Sequence, residues 1–266
     1  MRFINSILKS IRKLRCQQKH GLGISQLDIE DKRDFIYNPK ILETKKAGIS
    51  SYFTLRNFGC KILNQQQTNS CTGHAGIAAM NIILSRFIKP EDHKLNPWFV
   101  YYYARKEDYS STDIDGGATM RSLLKSLYKY GVYRCSMDSP YSKPKNINYD
   151  KCFHISNYYR CNNDIDKIKY AIESEKLPVL LCFKVYDNDI DNYYGYVGKN
   201  NKKTGLRGYH AICLTGYKYI DNELYFEFQN SWGRSWGDDG YGYLHESYLK
   251  SPDLCPDIWI PTFNKS

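Results

Sequence analysis

The chain has 266 residues, enough for one large domain or two lobes sharing a cleft, and no apolar run approaches the roughly eighteen residues of a membrane span. Met1 to Ser6 lacks the unbroken apolar stretch of a secretory signal, and nine cysteines, odd in number, widely spaced and free of any C-x-x-C pair, argue against a zinc site and a dense disulfide framework and favour a reducing compartment. The net charge is +10, but six basic residues (Arg2, Lys9, Arg12, Lys13, Arg15, Lys19) fall in the first twenty positions, where there is no acid, so the basic character belongs mostly to a leader.

Residues 1 to about 20 place Ile4, Ile7, Leu8, Ile11 and Leu14 at helical spacing between lysines and arginines, which predicts a basic amphipathic helix. Three readings stay open for it: a pro-segment helix on a catalytic body, a helix touching anionic membrane, or a solvated extension. No aromatic-interleaved groove or fold motif supports specific nucleic-acid recognition. Residues 21–50 are a polar, weakly periodic lead-in, and residues 51–266 form the main domain.

A polar loop, Asn64-Gln65-Gln66-Gln67-Thr68-Asn69-Ser70, runs into an apolar helix beginning at Cys71 and ending before Pro90. Its apolar residues fall on most faces, so it is a helix buried nearly all round. Asn96-Pro97 supplies a cap and a first-turn proline for a helix to about Lys106; Met120, Leu123, Leu124 and Leu127 mark another, stopped at Gly131; a fourth is expected near 163–174. The pattern then changes to strands at 177–185, 209–215 and 223–228, with Asp221-Asn222 as a hairpin turn. Helices first and strands second predict an α+β protein, with a helical lobe at about 64–160 and a β lobe at about 161–250.

A cysteine at a helix start meets unpaired N–H groups and the positive end of the dipole, which favour its thiolate. Cys71 is thus a candidate nucleophile, although free cysteine is also a common core residue. Read alone, His210 in its strand is a hydrogen-bonded core histidine and Asn230 a turn former at a strand end. Together, a helix-start cysteine, a histidine 139 residues later and an asparagine 20 beyond that suit nucleophilic catalysis between two lobes.

These residues stand in a longer register. Asn64-Gln65 before Ser70-Cys71, then Tyr209-His210-Ala211, then Asn230-Ser231-Trp232-Gly233 followed by Trp236-Gly237-Asp238-Asp239-Gly240-Tyr241-Gly242-Tyr243, resemble the papain-like cysteine peptidases. The resemblance is nearer to their bacterial and viral branch, whose lead-in is similar to Gly21-Leu22-Gly23, Asp31 to Tyr37 and Leu55-Arg56. It implies a two-lobed fold with a cysteine-bearing central helix facing an antiparallel, barrel-like β lobe. It implies that Cys71 attacks a peptide carbonyl to form a thioester, that His210 pairs with it as an ion pair and moves the protons, that Asn230 orients the imidazole, and that Gln65 and the Cys71 amide stabilise the oxyanion. It also implies that Trp232 covers the His210–Asn230 bond, that Trp232 and Trp236 line the leaving-group side, and that Gly116 and Gly117, Gly117 foremost, bind substrate backbone.

The expected activity is endopeptidase action from a zymogen whose pro-segment includes residues 1–50, on peptide or protein substrates, by a monomer with no cofactor. A thioester-based acyl transferase or ligase, or a silent binding protein of the same fold, are the rival readings. Departures from the family pattern are Thr68, where a disulfide cysteine is usual; Thr72, where tryptophan is common; and Asn69, where glycine is usual and positive φ would be tolerated. Asp187-Asn188-Asp189-Ile190-Asp191 opens like a calcium loop, but Asn192 and Gly198 stand where glycine and glutamate are required, so metal binding is not expected.

Overall fold

The computed structural model describes residues 21–24, 26–39, 50–59, 61–89, 94–190, 195–198 and 205–263. The expected leader helix at 1–20 and the end of the lead-in, 40–49, lie outside them. Among the described residues no helix is long and apolar enough to cross a membrane.

Helix α1, Cys71–Leu84, is buried along its whole length and ends well short of Pro90. It packs on α2, Pro97–Glu107, whose N-cap Asn96 accepts the Trp98 backbone N–H at 2.9 Å. Helix α3, Met120–Lys129, starts at a Thr119 cap and stops before Gly131, whose φ of +69° suits glycine. The crossing of α1 and α2 is close because Gly73 has no side chain: a Cβ there would stand 2.5 Å from the Pro97 carbonyl oxygen and 2.8 Å from Tyr101 Cβ.

The β lobe is an eight-stranded sheet. The strands are β1 Tyr52–Thr54, β2 Asn157–Arg160, β3 Val179–Tyr186, β4 Tyr196–Val197, β5 Leu206–Ile220, β6 Glu223–Gln229, β7 Tyr241–His245 and β8 Asp257–Thr262. The order is β2-β8-β3-β5-β6-β7-β4, with β1 on β5, and every pairing is antiparallel except β4 with β7. The α+β architecture expected from the sequence is therefore present. Asp221 and Asn222 turn the β5–β6 hairpin with φ of 50° and 63°, the left-handed pair that a tight two-residue hairpin needs.

The sheet reaches beyond the expected 161–250. Strand β1 precedes the helical lobe, β2 joins at 157, and β8 lies past 250, between β2 and β3. Its consecutive Ile258, Trp259 and Ile260 are all buried, as in a strand flanked on both sides, and its partners β2 and β3 lie far away in sequence. Helix α4, Ile165–Glu173, begins on an Asp164 cap, and short helices α5, Asp187–Ile190, and α6, Glu246–Leu249, complete the lobe. Asp189, from the calcium-like stretch, is buried and accepts the Tyr186 backbone N–H at 2.9 Å and the Tyr248 hydroxyl at 3.1 Å; residues 191–194 lie outside the described set. Helix α1 leans on β5, so the nucleophile candidate and the histidine candidate meet at the seam between helices and sheet.

Gly73→Ala tests that close crossing. Alanine favours a helix by about 1 kcal/mol, but overpacking against backbone costs about 1–3 kcal/mol. A net loss of about 1–2 kcal/mol in urea unfolding is expected, where an exposed helix position would show a gain.

Candidate active site

The loop before α1 is a hydrogen-bonded turn. Gln66 takes φ of 57°, whereas Asn69, where positive φ would be tolerated, is not among the described residues that adopt it. Thr68 donates its hydroxyl to the Gln65 carbonyl at 2.6 Å and lies 2.8 Å from the Ser70 hydroxyl. Asn69 reaches the opposite wall: its backbone N–H donates to Asp115 Oδ2 at 2.9 Å and its side-chain amide donates to the Asp115 carbonyl at 2.7 Å. Asp115 Oδ1 also accepts the Tyr101 hydroxyl at 2.6 Å. Thus hydrogen bonds tie together the two loops that a disulfide joins in the usual family pattern, and all seven described cysteines are free thiols.

Gln65 is fully buried and held at both ends. Its backbone N–H donates to the Ser231 carbonyl at 2.8 Å and its Oε1 accepts the Ser231 hydroxyl. Its Nε2 donates to the carbonyls of Thr68 at 2.7 Å and Gly21 at 3.0 Å. Ser231 was not singled out in the sequence; it follows Asn230 directly and carries the register of the glutamine.

His210 is buried on β5 opposite Phe183 of β3. Asn230, just past β6, has its Oδ1 2.8 Å from His210 Nε2 and accepts the Ser231 backbone N–H at the same distance. The His210–Asn230 bond orients the ring. Trp232 stacks on the imidazole, with centroids 4.8 Å apart and planes at 28°, and Trp236 stands edge-on to Trp232 at 5.2 Å. Both indoles are buried, so the aromatic cover withdraws the ring and its hydrogen bond from water. The Cys71 sulfur is approached by the Ala211 N–H, immediately after His210. Cysteine, histidine, asparagine and glutamine therefore converge. His74, also buried, has Nδ1 2.9 Å from the Ser70 carbonyl and sits edge-on to Trp98, as a core histidine does.

The cleft is crossed by residues 21–24. The Gly23 N–H donates to Cys71 Sγ at 3.3 Å, and the Gly23 carbonyl accepts the Ala118 N–H at 3.0 Å. Leu22 packs beside Gly208. Added Cβ atoms at Gly21 and Gly23 would lie 1.9 Å from the Thr68 carbonyl oxygen and 1.7 Å from that of Asn69, so only glycine fits this path. Burial pushes the Cys71 thiol up to about 11, outweighing the N–H groups of Ala211, Gly23, Thr72 and its own backbone. This differs from the lowered value expected of a helix-start cysteine, because the dipole acts here on a sulfur removed from water. Of the two glycines expected to meet substrate backbone, Gly116 faces open space and Gly117 donates its N–H to the Tyr101 hydroxyl at 2.9 Å. The amide presented to the strap belongs to Ala118, which the sequence reading passed over.

The description "Papain family cysteine protease" matches residues 53–252. The chain belongs to that family. Xylellain, a cysteine protease from Xylella fastidiosa, is similar over 93% of this chain and 98% of its own, with a TM-score of 0.77 and 26% identity. An uncharacterised peptidase C1-like protein of Acanthamoeba polyphaga mimivirus is 25% identical over 86% of this chain and 83% of its own length. A viral cathepsin of Epiphyas postvittana nucleopolyhedrovirus is 25% identical over 68% of this chain and 54% of its own. The protein is a cysteine-type peptidase of the papain-like fold, related to bacterial and viral members.

The raised thiol value has a direct consequence. At pH 8 a thiol near 11 is about a hundredfold poorer in thiolate than one near 9. Cys71 in the full chain should therefore alkylate with iodoacetamide about a hundredfold more slowly than a free cysteine, read by mass spectrometry of its peptide. Labelling at the free-thiol rate would show that the strap does not protect it.

Proposed function

We propose that the protein is a cysteine endopeptidase held as a zymogen, with the strap at 21–24 as the inhibitory part of a pro-segment spanning residues 1–50. Cys71 is the nucleophile and His210 its general base and acid. Asn230 fixes the imidazole tautomer, and Gln65 Nε2 with the Cys71 amide receives the oxyanion. Trp232 shields the His210–Asn230 pair, Trp236 supports Trp232, and Ala118, with Gly116 beside it, binds the backbone of a peptide substrate.

The observation that carries this reading is the pair of contacts made by the strap. The Gly21 carbonyl takes the Gln65 Nε2 that an oxyanion would use, while an N–H, that of Gly23, faces the sulfur. A carbonyl thus occupies the donor, while the strap's hydrogen bond to the nucleophile comes from an N–H. A thiolate attacks a carbonyl carbon, so a sulfur that accepts a hydrogen bond from a strap N–H is engaged without the approach that acylation needs. Once the strap leaves, the thiol is exposed to water and to the imidazole. Ion-pair formation then becomes favourable, and attack, loss of the amine protonated by His210, and hydrolysis of the thioester can follow.

Two variants test the reading. Cys71→Ala abolishes hydrolysis of a quenched fluorescent peptide, and persistence of the activity would remove Cys71 from the mechanism. Gly23→Ala in the full chain places a Cβ against the Asn69 carbonyl and raises peptidase activity at least about tenfold, the equivalent of about 1.4 kcal/mol of lost docking. Unchanged activity in that variant would show that the strap does not inhibit.

A further inference from the structure

Behind the strap, residues 28–34 are fastened to the body through carboxylates. Asp34 lies between two guanidiniums, 2.7 Å from Nη2 of Arg121 and 3.5 Å from Nη1 of Arg160. Arg160 Nη2 also pairs with Asp257 on β8 at 2.9 Å, and the Asp257 side chain is 1% exposed. Asp28 docks beside it: its backbone N–H donates to Asp257 Oδ2 at 3.1 Å. Its own Oδ2 accepts the Arg121 backbone N–H, in the first turn of α3, at 2.9 Å and the Trp259 indole N–H at 3.2 Å.

Three carboxylates therefore share two guanidiniums, and the hydrogen bonds to the Asp28 carboxylate come from neutral N–H groups. The groups facing Asp28 are Asp257 from β8, Arg160 from β2 and Arg121 from α3. Cys182 of β3 and Cys255, the thiols nearby, are kept protonated by burial. One negative charge in this cluster is uncompensated whenever all three carboxyls are ionised.

We propose that Asp28 and Asp257 form a proton-dependent latch for the strap, held when one of the two carboxyls is protonated and loosened towards neutral pH when both are charged. The proposal rests on the autoinhibition reading above and names what controls it. In the docked state burial first, and the charge of Asp257 second, push Asp28 up to about 6, whereas a free aspartate titrates near 4. The docked form binds the extra proton, so the proton's contribution to docking is fully present below about pH 4 and is lost as pH rises through about 6. A difference of about two pH units corresponds to at most about a hundredfold change in the docking equilibrium. Acid thus tightens the docking of the strap and neutral pH weakens it.

The test compares alkylation of Cys71 by iodoacetamide in the full-length protein and in Gly23→Ala, from pH 4.5 to 8, read on the Cys71 peptide. The ratio of the two rates cancels the intrinsic ionisation of the open thiol and reports the undocked fraction. That fraction should rise tens of fold between pH 4.5 and 7.5, and the rise should vanish in Asp28→Asn, which keeps shape but removes the charge. Asp257→Asn removes the same charge from the body side, should flatten the profile equally, and serves where the first variant folds poorly. Slower labelling of the parent with a ratio that is flat or falls with pH would overturn the latch alone, as would a rise that survives both variants. Equal labelling of parent and Gly23→Ala at every pH would overturn autoinhibition, and the latch with it.

Discussion

Everything in this molecule that bears on chemistry depends on one packing contact, the burial of α1 against β5. Because all fourteen residues of α1 are buried, the helix cannot rotate or slide without opening the core, and its first residue is Cys71. The facing strand carries His210 and Ala211, and the hairpin partner β6 delivers Asn230 at its end. The proposed reactive groups are thus located by two rigid elements, while the short polar loop before α1 is left to carry Gln65. That loop is braced by side chains, to Asp115 on one side and Ser231 on the other.

That bracing explains how the site tolerates the loss of a disulfide common in the family. A disulfide stabilises largely by restricting the unfolded chain, but here the functional requirement is local: the walls formed by 66–69 and 115–118 must keep their spacing. Asn69 and Asp115 meet this with two hydrogen bonds, and Tyr101 links the same carboxylate to the Gly117 amide. Such a network works in reducing conditions, where a disulfide would be opened.

How far the sequence speaks to this structure can be seen residue by residue. Cys71, His210 and Asn230 are legible because each falls at an element boundary or in a strand whose hydrophobic pattern is strong, and the glycine and tryptophan block after Asn230 has a distinctive spacing. Helix α2 is legible from its Asn96-Pro97 cap and α3 from its stop at Gly131. The strand β8 is harder to read, since Asp257 and Pro261 interrupt its apolar run and its partners lie about 80 to 100 residues away in β2 and β3. Gly21 and Gly23 are opaque for a different reason: a glycine's meaning lies in what a Cβ would strike, and the Thr68 and Asn69 carbonyls it would strike are visible only in three dimensions. Ala118 escaped notice because a backbone amide is common to almost every residue, and only its direction distinguishes it from Gly117.

The same distinction separates composition from control. A net charge of +10 describes the whole chain, yet the electrostatics beneath the strap run the other way, with carboxylates outnumbering guanidiniums around Asp28. Asp257 is separated from Asp28 by 229 positions, and Arg121 and Arg160 arrive from two further elements. No local charge pattern could announce such a cluster. It exists because strap and sheet edge are brought together by folding, so an excess carboxylate can be tolerated there only by binding a proton or by letting the strap go. The thiol at the other end of the strap obeys the same rule. Buried, it is held neutral by the cost of placing a charge away from water, and solvation restores its reactivity. In the proposed zymogen, inhibition by this strap is therefore electrostatic as well as steric: the segment that fills the cleft also removes the water that the thiolate needs.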